Sequence, residues 1–192
     1  MFIDAVLLSF GVIFIAELGD KSQLMALAFA ARFPAVAVLV AITVATALVH
    51  LGSVVLGATV ATVLPTNVVA IVAGLAFLGF AAWTLRGDVL GASEEARART
   101  EPTRSIVLTV GTAFFLAELG DKTMLATVTL ATHKNVLGTW IGSTAGMVVA
   151  DALAIVVGKV LGANLPERAI RIGAAVAFVV FGLLLIWDGV RG

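Results

Sequence analysis

Six ionisable side chains stand where a membrane-like sequence should carry none. They lie in Glu17-Leu18-Gly19-Asp20-Lys21-Ser22 and in a second copy, Glu118-Leu119-Gly120-Asp121-Lys122-Thr123, each inside a long apolar run. A charge at a bilayer centre costs about 2.5–3.5 kcal/mol, whereas a Leu or Phe returns only about 0.3–0.6 kcal/mol. Such groups are expected only where they face each other, an aqueous cavity or an ion. On a straight helix Glu17, Asp20 and Lys21 share one face, as do Glu118, Asp121 and Lys122, at spacings of three and four.

The chemistry open to these residues is that of a hard cation. Glu17, Asp20, Glu118 and Asp121 supply carboxylates, and Ca²⁺ takes about six to eight oxygen ligands. Ser22, Gln23 and Thr123 are candidate neutral ligands. The two hydroxyls point away from the acidic face unless the helix unwinds, and Gly19 and Gly120 are the hinges at which it would do so, exposing carbonyls. Four carboxylates crowded together without a cation repel one another. They are expected to take up protons and to release them to an arriving divalent cation, which is the physical basis of cation/proton antiport. Lys21 and Lys122 offer another way to balance the acids, as ion-pair partners or in proton coupling. If those pairs were permanent, the motifs would be a structural cluster instead.

The second apolar run adds a polar stripe, Thr43, Thr46, His50, Ser53 and Gly57, matched in the fifth run by Thr144, Met147, Asp151, Ala154 and Gly158. His50 and Asp151 are candidates for a proton relay or for support of the acids. A His and an Asp bonded within the helix bundle is the equal alternative. Gly138, Gly142 and Gly146 form a small-residue face that points to close helix packing.

The elements that must position these groups follow from composition. The chain is 61% hydrophobic and only 12% charged, with mean hydropathy +1.14, which indicates an integral membrane protein rather than a soluble domain. Its formal net charge of +0 gives no footprint for nucleic acid, and with no cysteine any metal site must use oxygen or imidazole. No resident cofactor is expected; divalent cations and protons would be cargo, and the lipid bilayer the surroundings. Apolar runs cover 2–31, 35–64, 68–85, 105–132, 136–162 and 169–187. The expectation is an all-α membrane protein of six transmembrane helices. The first and fourth carry the motifs and are broken or kinked there. The N-terminus lacks a basic signal region and is expected to be retained. Residues 86–104 read as a polar linker, with a short helix possible over 93–97.

An internal repeat at an offset of 101 residues joins the halves 1–85 and 105–192. Eight of eleven positions are identical between 14–24 and 115–125. The same offset pairs Thr43 with Thr144, His50 with Asp151, Gly57 with Gly158, Phe77 with Phe178 and Phe80 with Phe181. Three spans per half require opposite orientations, the inverted-repeat plan of secondary transporters, with the site near the midplane. Arg32, Arg86, Arg97, Arg99, Arg104, Arg168 and Arg171 fall on one side. That side should be the cytoplasmic face of a bacterial inner membrane, which places both termini on the opposite side.

The twin motif resembles the E-x-G-D-[KR]-[TS] signature of the divalent cation/proton exchanger family that includes the Golgi manganese and calcium transporters and bacterial manganese exporters. Both copies are complete, and the resemblance covers essentially the whole chain. It implies export of Mn²⁺ or Ca²⁺ against protons, with the motif acids as ligands. Three other readings compete: an exporter of small cationic organic solutes, an intramembrane aspartyl protease, and a membrane scaffold without flux. The protease reading is weakened because a Glu replaces the first Gly of its Gly-x-Gly-Asp setting in both copies.

Overall fold

A computed structural model describes residues 1–86, 96, 105–161 and 167–191, and among these residues it is all helix. We label the helices in chain order: α1 (Phe2–Glu17), α2 (Lys21–Ala30), α3 (Ala35–Val63), α4 (Thr66–Arg86), α5 (Ile106–Glu118), α6 (Lys122–His133), α7 (Val136–Leu161) and α8 (Glu167–Arg191). The short helix expected over 93–97 lies outside the described residues apart from Ala96. Prolines and polar turns end the apolar runs where the sequence suggests, with Pro34 at the N-cap of α3 and Lys134 at the C-cap of α6.

Four helices, α3, α4, α7 and the 172–191 portion of α8, are each long and apolar enough to cross a bilayer. Helices α1 and α2 make a fifth crossing if taken as one span bent by 77°. Helix α5 has 13 residues, short of the roughly 20 that a crossing requires. The six-span count therefore depends on joining α5 to α6 across the second motif.

The bundle has an apolar core that also encloses polar and charged side chains, and its outer surface is largely apolar. On α3, Val36, Val40, Val44, Leu48, Leu51 and Val55 are exposed, a stripe at helical spacing that meets lipid rather than water. The opposite face buries Thr46, His50 and Ser53 beside Val38, Ala41, Ile42, Ala45 and Val49. Thr43 was expected on that polar stripe. It is exposed instead, its hydroxyl donating to its own helix at the Leu39 carbonyl (2.7 Å).

Residues one repeat apart touch. The Phe77 and Phe178 rings are 5.7 Å apart, and the reciprocal pairs Phe77–Phe181 and Phe80–Phe178 stand at 6.2 and 6.0 Å. The Thr46 hydroxyl donates to the Met147 sulfur at 3.3 Å.

Gly138, Gly142 and Gly146 do seat a neighbouring backbone. A Cβ at Gly142 would lie 2.3 Å from the Val6 carbonyl oxygen, and one at Gly146 would lie 2.6 Å from that of Phe10. Helix α1 thus rests directly on the glycine face of α7. Gly142→Val should cost about 1–3 kcal/mol of stability by overpacking. A clear fall in the unfolding temperature of the detergent-solubilised protein checks it, with Gly52→Val, at a position open on all sides, as the neutral control.

Candidate functional site

The two motifs do not lie on continuous helices. Helix α1 stops at Glu17, Gly19 takes φ +74°, and α2 starts at Lys21 with Asp20 as its N-cap residue. The second motif repeats this with α5 ending at Glu118, Gly120 at φ +81°, and Asp121 capping α6. These are the chain's only two positive-φ residues among those described. A side chain there would crowd the following carbonyl, so glycine is required on conformational grounds. The single shared face drawn on a straight helix is therefore replaced by a break. The C-terminal carbonyls of α1 and α5 and the N-terminal amides of α2 and α6 all converge at the motifs. The positive ends of α2 and α6 favour the Asp carboxylates placed there.

The break also settles the hydroxyls. The Ser22 hydroxyl donates to Asp20 Oδ2 at 3.4 Å. The Thr123 hydroxyl donates to Glu118 Oε2 at 3.1 Å and lies 3.5 Å from Asp121 Oδ2. Unwinding brings both into the acidic cluster, as the sequence required. Gln23 acts differently from a simple ligand. Its amide oxygen accepts from the Gly19 N–H (2.8 Å), and its amide nitrogen donates to the Ala150 carbonyl on α7 (2.9 Å). It ties the first break to the residue preceding Asp151. In the second motif the Met124 sulfur takes the equivalent amide, from Gly120, at 3.1 Å. Met124 was not singled out from sequence, although its equivalence to Gln23 under the repeat offset was the available signal.

The motifs face each other and exchange partners. Lys122 Nζ lies 2.5 Å from Asp20 Oδ1, and Lys21 Nζ lies 3.2 Å from Asp121 Oδ1. Each lysine adjoins its own repeat's Asp in sequence but neutralises the Asp of the other repeat. The first pair is fully buried, whereas the Lys21 side chain is 19% exposed.

Glu17 and Glu118 are buried too, and here protein partners are scarce. Both Glu17 oxygens and Glu118 Oε1 accept no hydrogen bond among the described residues, and neither do both oxygens of the buried Asp151. Glu17 lies within electrostatic reach of Asp20, Glu118, Asp151 and Asp121, and Asp151 within reach of Asp20. Asp151 therefore belongs to the acidic cluster. Its repeat counterpart does not: His50 is buried with neither ring nitrogen bonded, and among the described residues no carboxylate acts on it. Among the described residues, no three His, Asp or Glu side chains converge closely enough to hold one metal ion. The lysines are the groups that meet the two aspartates.

Comparison with known proteins identifies the family of the chain. The family model described as divalent cation/proton antiporter GDT1 matches residues 5–92 and 106–192. A candidate manganese exporter of Vibrio cholerae is 32% identical over 179 residues, covering 92% of this chain and 87% of that protein. The chloroplastic GDT1-like protein 2 of Oryza sativa is 32% identical over 204 residues, covering 91% of this chain and 58% of the longer relative. A GDT1-like protein of Synechocystis is 28% identical over 193 residues, covering 92% and 93% of the two chains. No solved structure matches the chain. With the family model matched over most of its length, this membrane protein belongs to the GDT1 family of divalent cation/proton antiporters, which are transporters and not enzymes.

Proposed function

We propose that the chain exports a divalent cation, Mn²⁺ and/or Ca²⁺, from the bacterial cytoplasm across the inner membrane in exchange for protons. The observation that carries this reading is the reciprocal placement of the two motifs. Asp20 meets Lys122 and Asp121 meets Lys21, and Glu17 and Glu118 are buried and largely without protein partners. Such a cluster is an expensive thing to hold within an apolar bundle unless its charges are used. The manganese-exporter description of the Vibrio cholerae relative supports Mn²⁺ as the first cation to test.

In this reading α1–α2 and α5–α6 are two broken spans, and with α3, α4, α7 and α8 they make six crossings. The halves 1–85 and 105–192 form inverted repeats joined by the polar linker. Contacts such as Phe77–Phe178 and Thr46–Met147, between residues one repeat apart, are those expected beside a two-fold axis. Glu17, Asp20, Glu118 and Asp121 coordinate the cation in a closer arrangement than the present one, with Ser22 and Thr123 as neutral donors close by and Gln23 bracing the first break. Gly19 and Gly120 are the points at which the half-helices turn. Asp151, in reach of Asp20 but one helix away, carries the coupled proton. His50 supports the packing around the site. The face bearing Arg32, Arg86 and Arg168 is cytoplasmic, and both termini lie on the other side.

The test is reconstitution in liposomes containing a pH-reporting dye. With an imposed proton gradient, added Mn²⁺ or Ca²⁺ should drive proton movement, and Glu17→Gln/Glu118→Gln should abolish it. Folded protein that moves protons with neither cation would refute the reading. Flux of a basic amino acid in the same vesicles would then point to organic cations as the cargo.

A further inference from the structure

We propose that Lys21 and Lys122 are resident competitors of the transported cation, each holding an aspartate of the opposite repeat until the cation displaces it. The inference rests on the antiport reading above and adds roles for two side chains that the reading does not need. Three observations carry it. The ammonium groups lie against carboxylate oxygens, at 2.5 Å from Asp20 and 3.2 Å from Asp121, where a cation using those oxygens would have to sit. The pairs cross between repeats, so both must open before the two motifs can move apart. Finally, the pairs are unequal: Lys122 is 3% exposed and close to Asp20, whereas Lys21 is 19% exposed and farther from Asp121.

Physical chemistry sets the direction of the effect. A cation binding to Asp20 must break an ion pair that is shielded from water, where attraction between charges is strongest. Affinity is thereby held down, which suits a carrier that has to release its cargo. Displacement also supplies order. The Lys21–Asp121 pair is longer and less enclosed, so it opens first; the buried Lys122–Asp20 pair opens second and closes the exchange. A lysine is suited to this because its charge is a compact point on a flexible stem that can swing aside.

The experiment measures Mn²⁺ binding by titration calorimetry on the purified full chain, at one mildly alkaline pH, for wild type and for Lys21→Gln, Lys122→Gln and Lys122→Arg. Lys122→Gln should bind Mn²⁺ about tenfold more tightly than wild type, a difference of about 1.4 kcal/mol. Lys21→Gln should bind more tightly by a smaller factor. Turnover in liposomes should fall in both, because release slows. Lys122→Arg keeps a cation against Asp20 and should bind no more tightly than wild type. A merely structural lysine would give the reverse, with folded Lys→Gln proteins binding Mn²⁺ equally or more weakly, and that result overturns the proposal. Should Lys122→Gln fail to fold, Lys21→Gln decides by the same criterion, since its side chain is less enclosed. A wild-type protein that binds neither Mn²⁺ nor Ca²⁺ at a site that Glu17→Gln/Glu118→Gln removes would instead bring down the antiport reading, and this proposal with it.

Discussion

Asp20→Asn is expected to destabilise the protein far more than Asp20→Asn/Lys122→Gln does. Asp20 and Lys122 are both buried, and their charged atoms lie 2.5 Å apart. Removing one charge of a buried pair costs about 3–5 kcal/mol, because the other remains in a low-dielectric setting without that counter-charge. Removing both restores neutrality, and the cost falls to the lost packing and hydrogen bonding. The measurement is a double-mutant cycle on thermal unfolding in detergent, with Lys122→Gln as the fourth corner. A coupling energy within the roughly 0.3–0.5 kcal/mol of simple additivity would mean that the two residues do not act as a pair. Neither Asn variant should exchange cations for protons. Recovery of the fold without recovery of exchange is the expected signature of the double variant. The corresponding cycle on Lys21 and Asp121 should give a smaller coupling, because Lys21 is less buried than Lys122 and the separation is 3.2 Å.

Much of this architecture is legible in the sequence because the membrane leaves few choices. Apolar runs of spanning length must be helices, since no other open structure satisfies its backbone in lipid. Helices α3 and α7 follow the expected runs closely. The breaks were legible too: a Gly between Glu and Asp, found twice at the same register, marks a turn that a helix would not otherwise tolerate, and both glycines take positive φ. What sequence could not give is partner choice. Helical spacing places Lys21 next to Asp20, but only the packing of α2 against α7, α3 and α5 decides that Lys21 meets Asp121. Gln23 likewise reads as a ligand from its amide, whereas its bonds to Gly19 and Ala150 make it a brace between the first motif and α7. Thr43 shows the limit of a stripe argument, since it sits at the right spacing yet at the lipid-facing edge of α3.

The repeats also diverge at equivalent positions beside the motifs. Perfect two-fold symmetry would give the site either two histidines or two extra acids at positions 50 and 151. The chain has one of each, and only Asp151 reaches the cluster. Gln23 and Met124 differ in the same way, with an amide oxygen on one Gly N–H and a sulfur on the other. Two motifs built alike thus face one another across an environment that is unlike on its two sides, which in the proposed exchange gives Asp151 a role distinct from that of the motif acids.

That assignment makes the final prediction, one with opposite signs on stability and activity. Asp151 is buried with both carboxyl oxygens unbonded among the described residues, and it repeats no acid in the first half. A buried polar group without a hydrogen bond costs about 1–3 kcal/mol, so its removal should relieve the bundle. Asp151→Ala leaves a small void that offsets part of this, and the net expected gain is about 1 kcal/mol. A residue kept for packing would behave otherwise, destabilising the protein when truncated. Cation-driven proton movement should nonetheless be lost in Asp151→Ala and retained in part by Asp151→Glu, which keeps a carboxyl group in place. Mn²⁺ binding should survive in both variants, since the motif acids remain. A folded Asp151→Ala protein with undiminished proton exchange would remove Asp151 from the coupling and leave the four motif acids to carry both cation and proton.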